Sequence, residues 1–168
     1  MAAKLREAKQ PVSRLAGPYG HPLHPILVTV PIGAWVASLV FDLASRLSSE
    51  PVVFAKGALW LIGLGLVGAA AAAMLGFLDL FAIPTGTRAF RTGLLHMSLN
   101  LVVVALYVGG FLFRRGRLER PDGIPTALIV LSALTLALLT VSGWLGGRLA
   151  YRYGVRVADE STQAEAYQ

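Results

Sequence analysis

Four long apolar stretches dominate this sequence and constrain what it can fold into. They run from Ile26 to Leu47, Gly57 to Ile83, Gly93 to Phe113 and Ile124 to Ala150. Each reaches the roughly 20 apolar residues that an α-helix needs to cross a hydrocarbon layer of about 30 Å. Amphipathic helices of a soluble domain would show a continuous polar face, which these stretches lack. The sequence therefore predicts an all-α integral membrane protein, a four-helix bundle in antiparallel up-down-up-down order.

The residues outside these stretches predict short polar segments and a single membrane domain. Residues 1–20 are expected to form a basic tail, 21–157 the four-span transmembrane domain, and 158–168 a second polar tail. There is no cysteine, which excludes disulfides, iron–sulfur ligation by thiolates and covalent c-type haem attachment. The net charge of +6 is expected at lipid headgroups. It does not predict nucleic-acid binding, because no basic groove remains once the helices lie in lipid.

The distribution of basic residues bears on membrane orientation. The two tails and the loop between spans two and three carry nine Lys and Arg residues, and the two opposite loops carry six. This excess favours both termini on the cytoplasmic side, although the dense arginine loop Arg114–Gly123 opposes it. The expected location is the bacterial inner membrane.

Span two is rich in small residues that recur every four positions. Such ridges let helix backbones approach closely, which is how membrane helices pack when hydrophobicity gives no preference. The two ridges are Gly68, Ala72 and Gly76, and Gly65, Ala69 and Ala73. In span one, Pro31 predicts a kink.

Polar side chains are predicted to gather at one membrane face, because four antiparallel spans bring their ends together there. Among them, His96 lies about one turn inside span three, where ionisable groups are costly and face the bundle interior with a partner. Asn100 follows one turn later on the same helix face. The inward stripe of span one is predicted to contain His24, Val28, Pro31, Trp35, Ser38 and Asp42. His24 and His96 are thus expected to face each other across the core.

Facing histidines in a bundle core are typical of axial haem ligands or of a smaller metal site. A bis-histidine haem b would use His24 and His96, near Asn100. Its propionates would meet Arg88, Arg91 or Arg148 at the membrane surface. The alternative is a metal site built from His24, His96, His21 and Asp79.

The two aspartates within the spans are assigned to ion pairs. Asp79 is expected to pair with Arg88 or Arg91, or to orient a histidine by accepting its other N–H. Asp42 is expected to pair with Arg46 near the opposite surface. Trp35, Trp60 and Trp144 are predicted to be interface anchors or core packing.

The sequence resembles a known bacterial membrane family at these same residues. Its opening GHPLHPILVTVPIG at Gly20–Gly33, its central RTGLLHMSLN at Arg91–Asn100 and its ending GGRLAYRYGVRV at Gly146–Val157 are similar to that family's motifs. The family is the predicted membrane proteins of domain of unknown function 2231. Relatives fused to Rieske-type or c-type cytochrome modules imply a place near membrane electron transfer, which is an associational argument.

These observations favour a haem-binding electron-transfer module without enzymatic activity of its own. The expected partners are the lipid bilayer, a redox protein or larger membrane complex, and further copies of the chain. The alternative is a cofactor-free accessory or assembly subunit. A transporter is disfavoured because no inverted repeat is evident. An enzyme is disfavoured because no nucleophile–base set, P-loop or H-E-x-x-H motif is present.

Overall fold

The computed structural model describes residues 8–14, 17, 21–118 and 123–168, and four long apolar helices account for most of them. Span I (His24–Leu47) consists of α1, His24–Leu27, and α2, Thr29–Leu47. Span II is α3, Pro51–Phe81, and span III is α4, Arg88–Arg115. Span IV (Thr126–Arg152) consists of α5, Thr126–Gly147, and a π-helical turn, Arg148–Arg152. A short helix, α6, follows at Glu160–Glu165. The predicted all-α bundle of four membrane helices is confirmed.

Spans I, II and III are longer than the apolar stretches predicted for them, whereas span IV keeps its predicted length of 27 residues and lies two positions later. Span II begins at Pro51, whose missing N–H costs nothing in a first turn. Span III begins at Arg88, after the hydroxyl of Thr87 accepts a hydrogen bond of 3.1 Å from the Phe90 N–H. The interruption of span I falls at Val28, in the turn before Pro31. This is the expected place, since a proline ring clashes with the preceding turn of its helix.

Contacts between helices show how the bundle is ordered. From spans I and II, Trp35 meets Ile62, and Phe41 lies against Gly57. From the first pair to the second, the residue number rises along span I and falls along span II, so the two chains run in opposite directions. The contacts of span III with span IV described below show the same relation. Each span packs against the next along the chain, and span IV packs against span I. Among the described residues, the backbones of spans I and III do not approach each other, so these two spans are diagonal across the bundle.

The middle of the bundle is an aromatic stack between the diagonal spans. Trp35 and Tyr107 are 1% and 2% exposed, and their rings stack at 4.1 Å with an angle of 14° between planes. The Trp35 indole N–H donates to the Ile62 carbonyl at 3.4 Å. A Cβ at Gly65 would collide with that indole, so the small-residue ridge of span II is what admits the tryptophan. Trp35 is therefore core packing, whereas Trp60 and Trp144 are exposed on the lipid-facing surface.

A fully buried ion pair lies beyond the stack. Asp42 and Arg114 are 0% and 1% exposed, and Arg114 Nη2 lies 2.6 Å from Asp42 Oδ2. The expected pairing of Asp42 with Arg46 is wrong. Arg46 instead donates to the Ile124 carbonyl at 3.4 Å. Asp42 faces the bundle axis, where the diagonal helix supplies its basic partner.

Spans I and III contribute equivalent positions to the axis. Three pairs meet there, His24 with His96, Trp35 with Tyr107, and Asp42 with Arg114, and in each pair the residue numbers differ by 72. The second half of the chain thus repeats the axial pattern of the first in the same chain direction. Repeats of this kind are related by an axis along the membrane normal. The bundle is two helical hairpins that face each other across such an axis.

Breaking the buried ion pair should be strongly destabilising. Replacing Asp42 or Arg114 with Ala leaves an uncompensated charge in the core, which costs about 3–5 kcal/mol. The free energy of unfolding in detergent or bicelles measures this. The double variant Asp42→Leu/Arg114→Met should recover most of the loss, because it removes both charges. Arg115→Ala, at an exposed neighbouring position, is the control. Equal losses in all four variants would contradict the assignment.

Candidate functional site

The two predicted histidines meet on the bundle axis. The ring centroids of His24 and His96 are 6.3 Å apart, and the ring planes are nearly perpendicular at 88°. His24 comes from the first turn of span I, and His96 from the third turn of span III. Both side chains are half-buried. The structure therefore brings together the two residues that the sequence singled out.

Each imidazole is held by a backbone carbonyl of the neighbouring span. His24 Nδ1 lies 2.8 Å from the Ala72 carbonyl oxygen, and His96 Nδ1 lies 2.8 Å from the Ser142 carbonyl oxygen. A carbonyl only accepts, so Nδ1 carries the proton in both rings. In a neutral imidazole, Nε2 then keeps its lone pair. Both rings are thus arranged as potential ligands through Nε2.

Glycines leave room for the two imidazole rings to reach these carbonyls. In each case the residue four positions later on the same helix is glycine, Gly76 after Ala72 and Gly146 after Ser142. A Cβ at Gly76 would lie 2.9 Å from His24 Nδ1 and Cε1, and one at Gly146 would lie 3.2 Å from His96 Cε1. The repeat relating the two hairpins therefore extends to the contacts that orient the imidazoles.

A polar network fixes His96 further. Asn100 Nδ2 donates to the Ser142 hydroxyl at 2.7 Å and to the His96 carbonyl at 2.9 Å. It also lies 3.2 Å from His96 Nε2. The amide carries two hydrogens, and the two nearer acceptors use them, so the Nε2 lone pair is not required by Asn100. Ser142, which the sequence analysis did not identify, is fully buried and joins spans III and IV at this level.

A cavity of about 430 Å³ lies beside both imidazoles. Small residues of spans II and IV leave this space. It extends to the lipid-facing surface, where the exposed side chains Ile32, Phe77 and Leu101 line it. The small residues in its lining are Ala69, Ala72, Ala73, Gly76, Gly93, Gly143, Gly146, Gly147 and Ala150. The cavity is mostly apolar, with its polar groups concentrated around the two histidines and at the membrane face.

Arg156 and Asp79 close the polar end of the cavity. Arg156 Nε lies 2.9 Å from Asp79 Oδ1, and both residues line the cavity. The predicted pairing of Asp79 with Arg88 or Arg91 is therefore wrong. The π-helical turn ends span IV, and Arg156 follows with φ of 59°, in the left-handed region that non-glycine residues rarely adopt. This backbone conformation brings the chain back over the bundle end, and the Arg156 N–H donates to the Ala8 carbonyl at 3.0 Å.

The remaining predicted site residues do not line the cavity; they are Arg88, Arg91, Arg148 and His21. Arg88, Arg91 and His21 are exposed. Arg148 lies over the Trp144 ring at 4.9 Å and donates to the Tyr153 hydroxyl at 3.0 Å. A hydrogen bond with the Thr92 side chain, followed by the one from Arg148, lowers the pKa of the Tyr153 phenol.

The alternative metal site is not assembled. Within the described part of the chain, no three His, Cys, Asp or Glu side chains lie close enough to share a metal ion. The Asp79 carboxylate faces the Arg156 guanidinium, and His21 lies on the exposed side of the bundle end. Two imidazoles remain as the candidate ligand set.

Comparison with known proteins agrees with this architecture. The family model described as predicted membrane protein (DUF2231) matches residues 20–159. The chain belongs to that family. No curated protein and no solved structure matches it. The matched range includes His24, His96 and Arg156, so the histidine pair and the arginine at the polar end of the cavity lie within the family domain.

The glycines beside the imidazoles should be intolerant of even one methyl group. Gly76→Ala is expected to displace the His24 ring and to lower the free energy of unfolding by about 1–3 kcal/mol, the typical cost of overpacking. Gly146→Ala should have the same effect to a smaller degree, because its Cβ would have slightly more room. Unfolding measurements and imidazole ¹⁵N chemical shifts test both.

Gly143→Ala is the matched control. It lies on the same helix as Gly146, and a Cβ there would meet nothing within 4 Å. Alanine is about 0.5–1 kcal/mol better than glycine inside a helix, so this variant should be neutral or stabilising. A similar loss at positions 143 and 76 would show that the histidines do not require the glycine surface.

Proposed function

We propose that this protein is a b-type haem module of the bacterial inner membrane, with His24 and His96 as axial ligands. The observation that carries the proposal is the 6.3 Å separation of two imidazoles from diagonal helices, both with Nδ1 bound to a carbonyl. A bound haem would supply one-electron chemistry, and His24 and His96 would hold its iron.

The separation of the rings agrees with shared ligation of one metal. Imidazole nitrogens bind transition metals at about 2.0–2.1 Å, and a ring nitrogen lies about 1.1 Å from its ring centroid. Two imidazoles that share one metal through Nε2 would place their centroids at most about 6.3 Å apart, and the observed distance of 6.3 Å is compatible with that limit. Histidine ligands also commonly donate their second N–H to a carbonyl, which fixes ring orientation and raises ligand basicity.

The surroundings of the imidazoles suit a large apolar cofactor. The cavity of about 430 Å³ falls within the usual range of roughly 300–1,000 Å³ for ligand pockets. Small residues of spans II and IV leave this cavity beside the rings. A closed metal site would need more donors than the two imidazoles supply.

Arg156 replaces the three arginines predicted from the sequence as the residue that would meet a propionate. It lines the cavity, whereas Arg88 and Arg91 are exposed. Its guanidinium can bind a second carboxylate beside Asp79, because its planar fork offers five N–H donors. Asp79 would then hold Arg156 in place at the cavity end.

The orientation proposed from the basic residues has both termini in the cytoplasm, which places the histidine end near that face. An electron would be exchanged with a separate redox protein, a quinone or a larger membrane complex. Further copies of the chain could pack through the exposed faces of the spans.

Purified protein from cells supplied with haem should show a Soret band and the sharp α and β bands of low-spin ferrous haem. His24→Ala and His96→Ala should each abolish the low-spin spectrum while the four helices still insert. His21→Ala is the control, because this exposed residue does not line the cavity. A colourless wild-type protein would refute haem binding and would favour the cofactor-free accessory or assembly subunit instead.

The perpendicular rings lead to a separate spectroscopic expectation. Perpendicular imidazole planes donate to different iron d orbitals, which leaves those orbitals close in energy. The ferric protein should therefore give a strongly anisotropic low-spin EPR signal, with a largest g value well above that of parallel ligand planes. A rhombic spectrum typical of parallel rings would contradict the geometry of the pair.

A further inference from the structure

A second polar site lies on the bundle axis at the end opposite the imidazoles. Its side chains are Asp42, Tyr107 and Arg114, which are 0%, 2% and 1% exposed. Asp42 follows His24 by 18 positions along span I, which corresponds to about 27 Å along a helix. None of the three residues lines the cavity beside the histidines. The two sites are therefore separate.

The Arg114 guanidinium organises this second site. Its Nη2 contacts Asp42 Oδ2 at 2.6 Å, the Ser132 hydroxyl at 2.8 Å and the Leu128 carbonyl at 3.1 Å. A Cβ at Gly110 would lie 2.8 Å from Arg114 Nη1. The side chain thus runs back along its own helix across Gly110, towards Tyr107 about one turn earlier. The charges of Asp42 and Arg114 both act on the Tyr107 phenol, so the three groups share this part of the axis.

Three polar atoms at this place have no hydrogen-bond partner within the described part of the chain. They are Asp42 Oδ1, Arg114 Nε and the Tyr107 hydroxyl, all buried. In the hydrocarbon region no bulk solvent can satisfy them, so an unsatisfied polar group there is strongly unfavourable. Three such atoms from two diagonal helices indicate that a further group binds between them.

The chemistry of the three atoms identifies that group. Arg114 Nε–H and the Tyr107 hydroxyl can donate, and the Asp42 carboxylate can only accept. A cation would be repelled by Arg114 and an anion by Asp42. A water molecule can accept the two donated hydrogen bonds and donate one to the carboxylate. Buried waters typically make about three hydrogen bonds of this kind.

We propose that Asp42, Tyr107 and Arg114 bind one internal water molecule within the membrane-spanning bundle. The water completes the hydrogen bonding of the ion pair and connects it to Tyr107, whose ring stacks on Trp35 at the bundle centre. The site does not depend on any cofactor at the histidines.

Proton-detected NMR of the full chain in lipid nanodiscs tests the proposal. With the signal assigned by comparison with Arg114→Lys, the Arg114 Nε–H should show a cross-peak to a bound water. Tyr107→Phe keeps the ring but removes one of the water's partners, so the cross-peak should lose most of its intensity. Tyr167→Phe, at a position 92% exposed, should leave it unchanged.

Two results would overturn the proposal. One is a resolved Arg114 Nε–H in the wild-type protein with no cross-peak to water. The other is a cross-peak that Tyr107→Phe leaves at full intensity. If Tyr107→Phe perturbs the fold, an experimental density map of the wild-type protein decides the matter. It should contain one water within hydrogen-bond distance of all three atoms, and a dry site would refute the inference.

Discussion

Within a bilayer, a protein must satisfy its own polar groups, and this constraint explains how the bundle is organised. Ionisable side chains in the spans face the interior because lipid offers them no hydrogen bonds. Here two pairs of them lie on the axis, His24 with His96 at one end and Asp42 with Arg114 at the other, with the Trp35–Tyr107 stack between them. Small residues on span II make this possible, since a side chain at Gly65 or Gly76 would collide with the axial rings.

The two ends of the axis differ in how completely protein encloses them. The ion pair is enclosed by protein on all sides and is anchored to Ser132 and the Leu128 carbonyl. The imidazoles lie beside a cavity that reaches the lipid-facing surface. A buried ion pair with several hydrogen bonds favours one register of the helices. Paired rings beside an open apolar space are the arrangement expected of a site that receives a ligand.

The sequence was sufficient to predict the bundle and the meeting of His24 with His96. Long apolar stretches determine the spans, and equal depth in two parallel spans brings the histidines to one level. Sequence proximity predicts the wrong partners for Asp42 and Asp79, because the basic residues that they contact are distant in the chain. Arg114 lies on the diagonal helix, and Arg156 reaches Asp79 only through a left-handed backbone after the π-helical turn. The rotation of each helix about its own axis also decides which backbone carbonyls face the imidazoles. No pattern of residue types in the sequence indicates that rotation.

The repeated axial pattern has a consequence for what a single chain can hold. Two identical hairpins related by a two-fold axis could place a pair of histidines on that axis, but any carboxylate there would face another carboxylate. One aspartate opposite one arginine requires two hairpins with different sequences. Joining the two hairpins in one polypeptide keeps two histidines together at one end of the axis. At the other end it allows an aspartate to face an arginine.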